Sequence, residues 1–117
     1  MGYRIYRRSK DTYSPYKEEM KEKLTKSFKE LRKLGYFARQ NFWCCQSCAW
    51  SDVPEEKEDK VVFYHRQDNK NVPYGHVMLA WAGDGNEIVE VMKKYFVVVW
   101  DGSEHSRILV KLNQYIN

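Results

Sequence analysis

Val77-Met78-Leu79-Ala80-Trp81-Ala82-Gly83-Asp84-Gly85-Asn86 decides the class of fold. Its first six residues form an apolar run of strand length, and the Gly-Asp-Gly-Asn step then breaks it. Asn86 is placed to cap a helix running through Lys94, with Ile88, Val89, Met92 and Tyr95 on one face. Phe96-Val97-Val98-Val99-Trp100 follows as an apolar strand, expected to be buried on both faces. Strand, helix and strand in succession make the chain a mixture of α and β.

Toward the N-terminus, Ser14-Pro15 opens the clearest helix, because Ser caps and Pro suits the first turn. Tyr16, Met20, Leu24, Ser27, Phe28, Leu31 and Leu34 fall on one face of it, and Gly35 can take the left-handed conformation that ends a helix. The other face pairs Glu18 with Lys21, Glu19 with Lys23 and Glu22 with Lys26. Residues 1–13 read as a short strand or arm, with alternation at 3–8, ahead of a core at 14–112. The cysteine-bearing segment Tyr36–Phe42 onward begins as a strand. Ser51–Lys60, acidic and carrying Pro54, is a loop or one short turn of helix. Val61–His65 is a strand, Asp68–Gly75 a turn, Asp101–Glu104 a turn, and Arg107–Leu112 a last strand. The order α-β-β-β-α-β-β implies an α+β two-layer sandwich. A mixed or antiparallel sheet of four to five strands would carry two helices on one face.

The chain has 117 residues, which suits a single domain. It is 43% hydrophobic and 31% charged, the balance of a soluble globular protein. No apolar run approaches the roughly 20 residues of a membrane span. The N-terminus lacks the apolar block of a signal peptide, so a cytoplasmic, reducing setting is expected, where three cysteines stay free. The net charge of +4 is uneven. Up to Gly35 there are 11 Lys/Arg against 5 Asp/Glu, and from Tyr36 there are 9 against 11. The basic third reads first as a solvated helix face, with Lys29, Arg32 and Lys33 offsetting the helix dipole. Its second reading is a surface for nucleic acid or an acidic partner.

Chemistry concentrates in Phe42-Trp43-Cys44-Cys45-Gln46-Ser47-Cys48-Ala49-Trp50, which holds every cysteine and half of the tryptophans. Three readings compete. Cys45-x-x-Cys48 has zinc-ligand spacing, with His65 as third ligand and Cys44, His76 or Asp68 as fourth. Adjacent Cys44 and Cys45 point apart on a strand, so both ligate only where the backbone turns. Alternatively Cys44 or Cys45 is a nucleophile with His65 as base and Asp68 as orienter, a hydrolase-type triad. No glycines for an oxyanion hole accompany it. A thiol–disulfide role requires the cysteines to open a helix, and Pro54 comes too late to start one at Cys45. The third reading is packing: buried free cysteines as small hydrophobes and His65 as a core imidazole. Trp43 and Trp50 lie in a loop-like segment and are binding-anchor candidates. Trp81 and Trp100 read as core, and His76 and His105 as surface residues. No Gly-rich phosphate loop is present, which disfavours a nucleotide hydrolase.

The pattern Phe42-x-Cys44-Cys45-x-x-Cys48, Phe63-x-His65-x-Gln67-Asp68 and Trp100-Asp101-Gly102-Ser103 with Arg107-Ile108 resembles a bacterial family of small domains of unknown function. The likeness covers about residues 25–112. Where that family carries an apolar Gly-Leu pair before the last-but-one strand, this chain has Lys94-Tyr95-Phe96. The resemblance implies no reaction. Its short, Lys-rich form suits a phage-borne inhibitor of host defence, a class that acts by binding alone. The expectation is thus a small binding domain with a protein partner ahead of a small molecule, and zinc as the candidate cofactor. Nucleic acid stands second as a partner, through the first helix. The alternatives are the Cys/His/Asp hydrolase and a purely structural domain.

Overall fold

A 32-residue helix, α1 (Gly2–Lys33), opens the chain. The computed structural model describes residues 2–115, with side chains from residue 18 onward. The segment expected as a strand or arm is therefore helical, and the helix continues through Ser14-Pro15 instead of starting there. The cap expected of the Ser14 side chain and the Tyr16 contact lie outside the described side chains. From Met20 the expected apolar face is present: Met20, Leu24, Ser27, Phe28 and Leu31 are all buried. Ser27 stays in this stripe by donating its hydroxyl to the Leu24 carbonyl at 2.7 Å. The stripe stops short of Leu34, which is 42% exposed beyond the last helical residue.

Gly35 then takes φ 98°, the left-handed turn that reverses the chain. Cations from a distant loop satisfy the carbonyls left at this end. Lys60 Nζ donates to Leu34 O at 2.6 Å, and Lys57 Nζ donates to Gly35 O at 2.9 Å. Arg32 donates to the Ala38 carbonyl at 2.8 Å, so this member of the basic set ties helix to strand. Lys29 and Lys33 are exposed.

Five strands form one mixed sheet in the order β1-β2-β3-β5-β4. They are β1 (Phe37–Arg39), β2 (Val61–Phe63), β3 (His76–Ala82), β4 (Phe96–Val99) and β5 (Ile108–Tyr115). β1 and β2 are parallel and every other pair is antiparallel. Period-two alternation sorts the side chains onto two faces. Ala38, Val62, Val77, Leu79, Ile108, Val110 and Leu112 point to one face, where they join α1 and α4 (Gly85–Lys93) in the larger core. Val61, Phe63 and Ala80 point to the other, where they meet Ala49 of a short helix, α2 (Gln46–Ser51). The α+β sandwich is thus observed, with its two long helices together on one face.

Two details differ from expectation. α4 is capped by Asp84, whose carboxylate accepts from the N–H groups of Asn86 and Glu87 at 3.0 and 3.2 Å. Asn86 is inside the helix. β4 is not buried on both faces. It is an edge strand with Val97 and Val99 38% and 49% exposed, because only the inward parity of Phe96 and Val98 meets the core. Glu30 of α1 joins the end of α4 through Lys94 at 2.9 Å and the Tyr95 hydroxyl. Those two donors, Tyr95 first, hold the Glu30 carboxyl below its usual range, and the same bond pushes the Tyr95 phenol up to about 12.

Candidate functional site

The two segments singled out in the sequence meet through their backbones. Phe42 N–H donates to the Tyr64 carbonyl at 2.8 Å, and Arg66 N–H donates to the Trp43 carbonyl at 2.9 Å. Beneath them Phe63 is fully buried, edge-on to Phe42 at 5.9 Å and to Trp50 at 5.1 Å between ring centroids. Trp50 therefore packs into the smaller core and is not a free binding anchor. Trp43 is 48% exposed, with its indole N–H donating to Asp52 at 3.1 Å.

The backbone turns where it must for three thiols to converge. Asn41 has φ 50° and Trp43 has φ 64°. A bulky residue in the left-handed region costs on the order of 1–3 kcal/mol, so surrounding bonds must hold it. The Trp43 carbonyl and indole bonds above do so. The strand ends here, and Cys44 and Cys45 no longer diverge. Cys44 Sγ lies 3.9 Å from Cys45 Sγ and 3.7 Å from Cys48 Sγ, and all three sulfurs lie within 4.8 Å of one another. Among the described residues no histidine or carboxylate joins that group.

None of the three thiols is buried, so they do not fill a core as the packing reading required. Cys45 is the N-cap of α2, and Cys48 lies in its first turn. The expectation that the cysteines do not open a helix is thereby overturned. α2 is short and needs no proline to begin, because the turn at Trp43 delivers Cys45 in an extended conformation, φ −155°. The polar groups around Cys45, the Cys48 backbone N–H first and then the Cys48 thiol, Ser47 and Cys44, draw its thiol down to about 7, without a side-chain cap hydrogen bond to the helix. Hydrogen bonds with Cys45 first and then Cys44 push the Cys48 thiol up to about 11. One thiol of the cluster is therefore primed to ionise and a second resists it.

His65 and Asp68 form a separate constellation. Both are buried. His65 Nε2 lies 3.3 Å from Asp68 Oδ2, and the same carboxylate oxygen accepts from Arg107 Nη2, which also donates to the Met78 carbonyl at 3.0 Å. Asp68 sits in the four-residue helix α3 (Arg66–Asn69), which His65 precedes, while Arg107 immediately precedes β5. His65 Nδ1 and Arg107 Nε are buried without a partner among the described residues. No thiol hydrogen-bonds His65 among the described residues. The imidazole–carboxylate half of the expected triad is present, but its partner cation is arginine. A cleft of about 90 Å³ is lined by Gln46 and Trp50 from α2, by Ala80 and Trp81, and by Glu104 to Arg107, and none of the thiols, His65 or Asp68 borders it. The sequence reading quoted Arg107 in its pattern without giving it a role, since a partner 39 residues distant leaves no local signal. His76 is half-buried and His105 exposed, 3.8 Å from Glu104.

Among the described residues no helix is long and apolar enough to cross a membrane. No curated protein and no solved structure matches the chain. A family model does match it, over residues 5–115, nearly the whole length. The chain belongs to the family described as Domain of unknown function (DUF6891).

Proposed function

We propose that the chain is a small metal-binding interaction domain in which Cys44, Cys45 and Cys48 hold one thiophilic ion, zinc first. The supporting observation is the sulfur spacing. A tetrahedral zinc with Zn–S bonds of about 2.3 Å has an edge of about 3.8 Å between sulfurs. The separations of 3.7 and 3.9 Å from Cys44 match two of the three edges, and the Cys45 and Cys48 sulfurs lie within 4.8 Å of each other. They are far longer than a disulfide bond of about 2.05 Å. With three protein ligands the fourth position stays open, as in zinc sites that bind an outside group. Cys44 and Trp43 are both exposed, so that position would face solvent beside an aromatic side chain. This favours a protein partner that packs on Trp43 and completes the coordination.

Equilibrium dialysis of the reduced protein against zinc tests the reading. One bound equivalent, lost in Cys48→Ser, is expected. No binding by reduced, folded protein overturns it.

A second reading has its own observation. Cys45 at the cap of α2, its thiol drawn down to about 7 by the neighbouring Cys48 backbone N–H and thiol, is the arrangement of a dithiol that exchanges with disulfides. In it, the Cys45 thiolate would attack a substrate disulfide, releasing one substrate thiol and forming a mixed disulfide, and Cys48, losing its proton, would then attack the Cys45 sulfur, releasing the second substrate thiol and leaving a Cys45–Cys48 bond. Recovery of that bond after treatment of metal-free protein with oxidised glutathione, with no metal bound to protein as purified, would favour it over the metal site.

A further inference from the structure

The motif Trp100-Asp101-Gly102-Ser103 plays no part in the thiol site, yet it builds a second cleft at the start of α4. Trp100 meets Trp81 edge to face, with ring centroids 5.6 Å apart and planes at 86°. Neither indole is free to swing. Trp81 Nε1 donates to the Ser106 carbonyl at 2.9 Å, and Trp100 Nε1 donates to the Ser103 carbonyl at 3.1 Å. The turn carrying both acceptors is itself pinned, because the Asp101 carboxylate accepts from Ser103 N–H at 2.9 Å and from the Ser106 hydroxyl at 3.0 Å. Gly85 completes the frame. A Cβ there would stand 2.6 Å from Trp100 and 2.8 Å from Trp81, so both rings lie directly against the first residue of α4.

These two rings border an open cleft of about 330 Å³. The remaining walls are Gly83, Gly85, Asn86, Gly102 and the carboxylate residues Asp84 and Glu104, and no Lys, Arg or His lines it. The helix start offers no bare donors to an anion, since Asp84 already occupies the N–H groups of Asn86 and Glu87. The faces of tryptophan rings attract cations, and the flanking carboxylates add to that attraction. The volume is at the lower end of the range for small-ligand pockets, about 300–1,000 Å³, and suits a single head group.

We propose that this cleft binds an alkylated ammonium cation, such as a quaternary amine or a methylated lysine side chain. The fixed Trp81–Trp100 pair supplies the aromatic walls. Asp84 and Glu104 supply the counter-charge. The site is independent of the thiol cluster.

The test uses the full chain and the indole N–H resonances of a ¹⁵N-labelled sample, assigned by single Trp→Phe variants. Choline is titrated at constant ionic strength, with its neutral isostere 3,3-dimethyl-1-butanol in parallel. A trimethyl-lysine peptide forms a third arm. Saturable shifts of Trp81 and Trp100, with Trp43 and Trp50 unmoved, are expected for choline and not for the alcohol. Saturation by the peptide alone would still support the cleft and would assign its cation to a protein side chain. Glu104→Gln, at an exposed position, and Trp100→Phe, which keeps an aromatic ring against the rim of the larger core, should each weaken binding about threefold to fivefold. Equal response to the neutral alcohol, absence of any saturable shift for both cations, or full affinity in both variants would overturn the proposal.

Discussion

The two faces of the sheet are built on different principles. The face under α1 and α4 is a continuous apolar core in which Met20, Leu24, Phe28, Leu31, Ile88 and Met92 meet the inward parity of five strands. The opposite face has only Ala49, Val61, Phe63 and Ala80 as its fully buried cluster, rimmed by half-buried rings. Burial of apolar area scales stabilisation, so the first face carries most of the folding free energy. The second face spends its residues on a strained turn, three accessible thiols and a pair between buried Asp68 and half-buried Arg107. The thiols and the Asp68–Arg107 pair are collected on the side where packing is thinnest.

Truncations separate the two faces. Phe28→Ala and Phe63→Ala each remove a fully buried ring, and each should cost about 3–5 kcal/mol in urea denaturation. Only Phe63→Ala should also change thiol reactivity in the folded state, because Phe63 supports Phe42 and Trp50 at both ends of the cysteine segment. Equal thiol reactivity in the two variants would dissolve the distinction.

Asp68→Ala leaves the Arg107 cation without its carboxylate in a mostly buried setting. A loss of about 3 kcal/mol is expected by the same measurement, more than for a surface ion pair. A loss under about 1 kcal/mol would place the pair with the surface bridges. Gly85→Ala pushes a methyl group against two tethered indoles on the larger-core side. Overpacking of this kind should cost about 1–3 kcal/mol and blue- or red-shift the tryptophan emission. Unchanged stability and emission would mean that the indoles yield easily.

The smallest effect is kinetic. In metal-free protein the Cys45 thiol is lowered to about 7, so its thiolate accumulates as pH rises through 7, whereas Cys48, raised to about 11, stays protonated. Alkylation followed by peptide mass analysis should label Cys45 before Cys48, with a midpoint near pH 7. A midpoint near the ordinary thiol value of about 8.5 would contradict the lowering of Cys45 by its neighbours.

What was legible in the sequence was what depends on local period. The α1 stripe from Met20 to Leu31 reads directly, because three- and four-residue spacing survives whatever it packs against. Gly35 marks the helix end because its conformation is a property of one residue. The Cys45-x-x-Cys48 spacing likewise pointed to paired sulfur. The rest depended on topology. Val97 and Val99 look like core in a run of valines, and only the strand order places them at an edge. α2 was invisible because six residues capped by a cysteine carry none of the usual cap chemistry. The third thiol joined the cluster through a left-handed tryptophan, which no propensity predicts. Arg107 found Asp68 only after β3 and β5 were paired.

The central claim is that three thiolates of one short segment share one ion, and cobalt titration of the reduced protein tests it most directly. The account predicts an intense sulfur-to-cobalt charge-transfer band that saturates at one equivalent per chain. That band should weaken in each of Cys44→Ser, Cys45→Ser and Cys48→Ser, and zinc should displace it. A folded, reduced protein that shows no such band, or a band untouched by loss of Cys44, would contradict it.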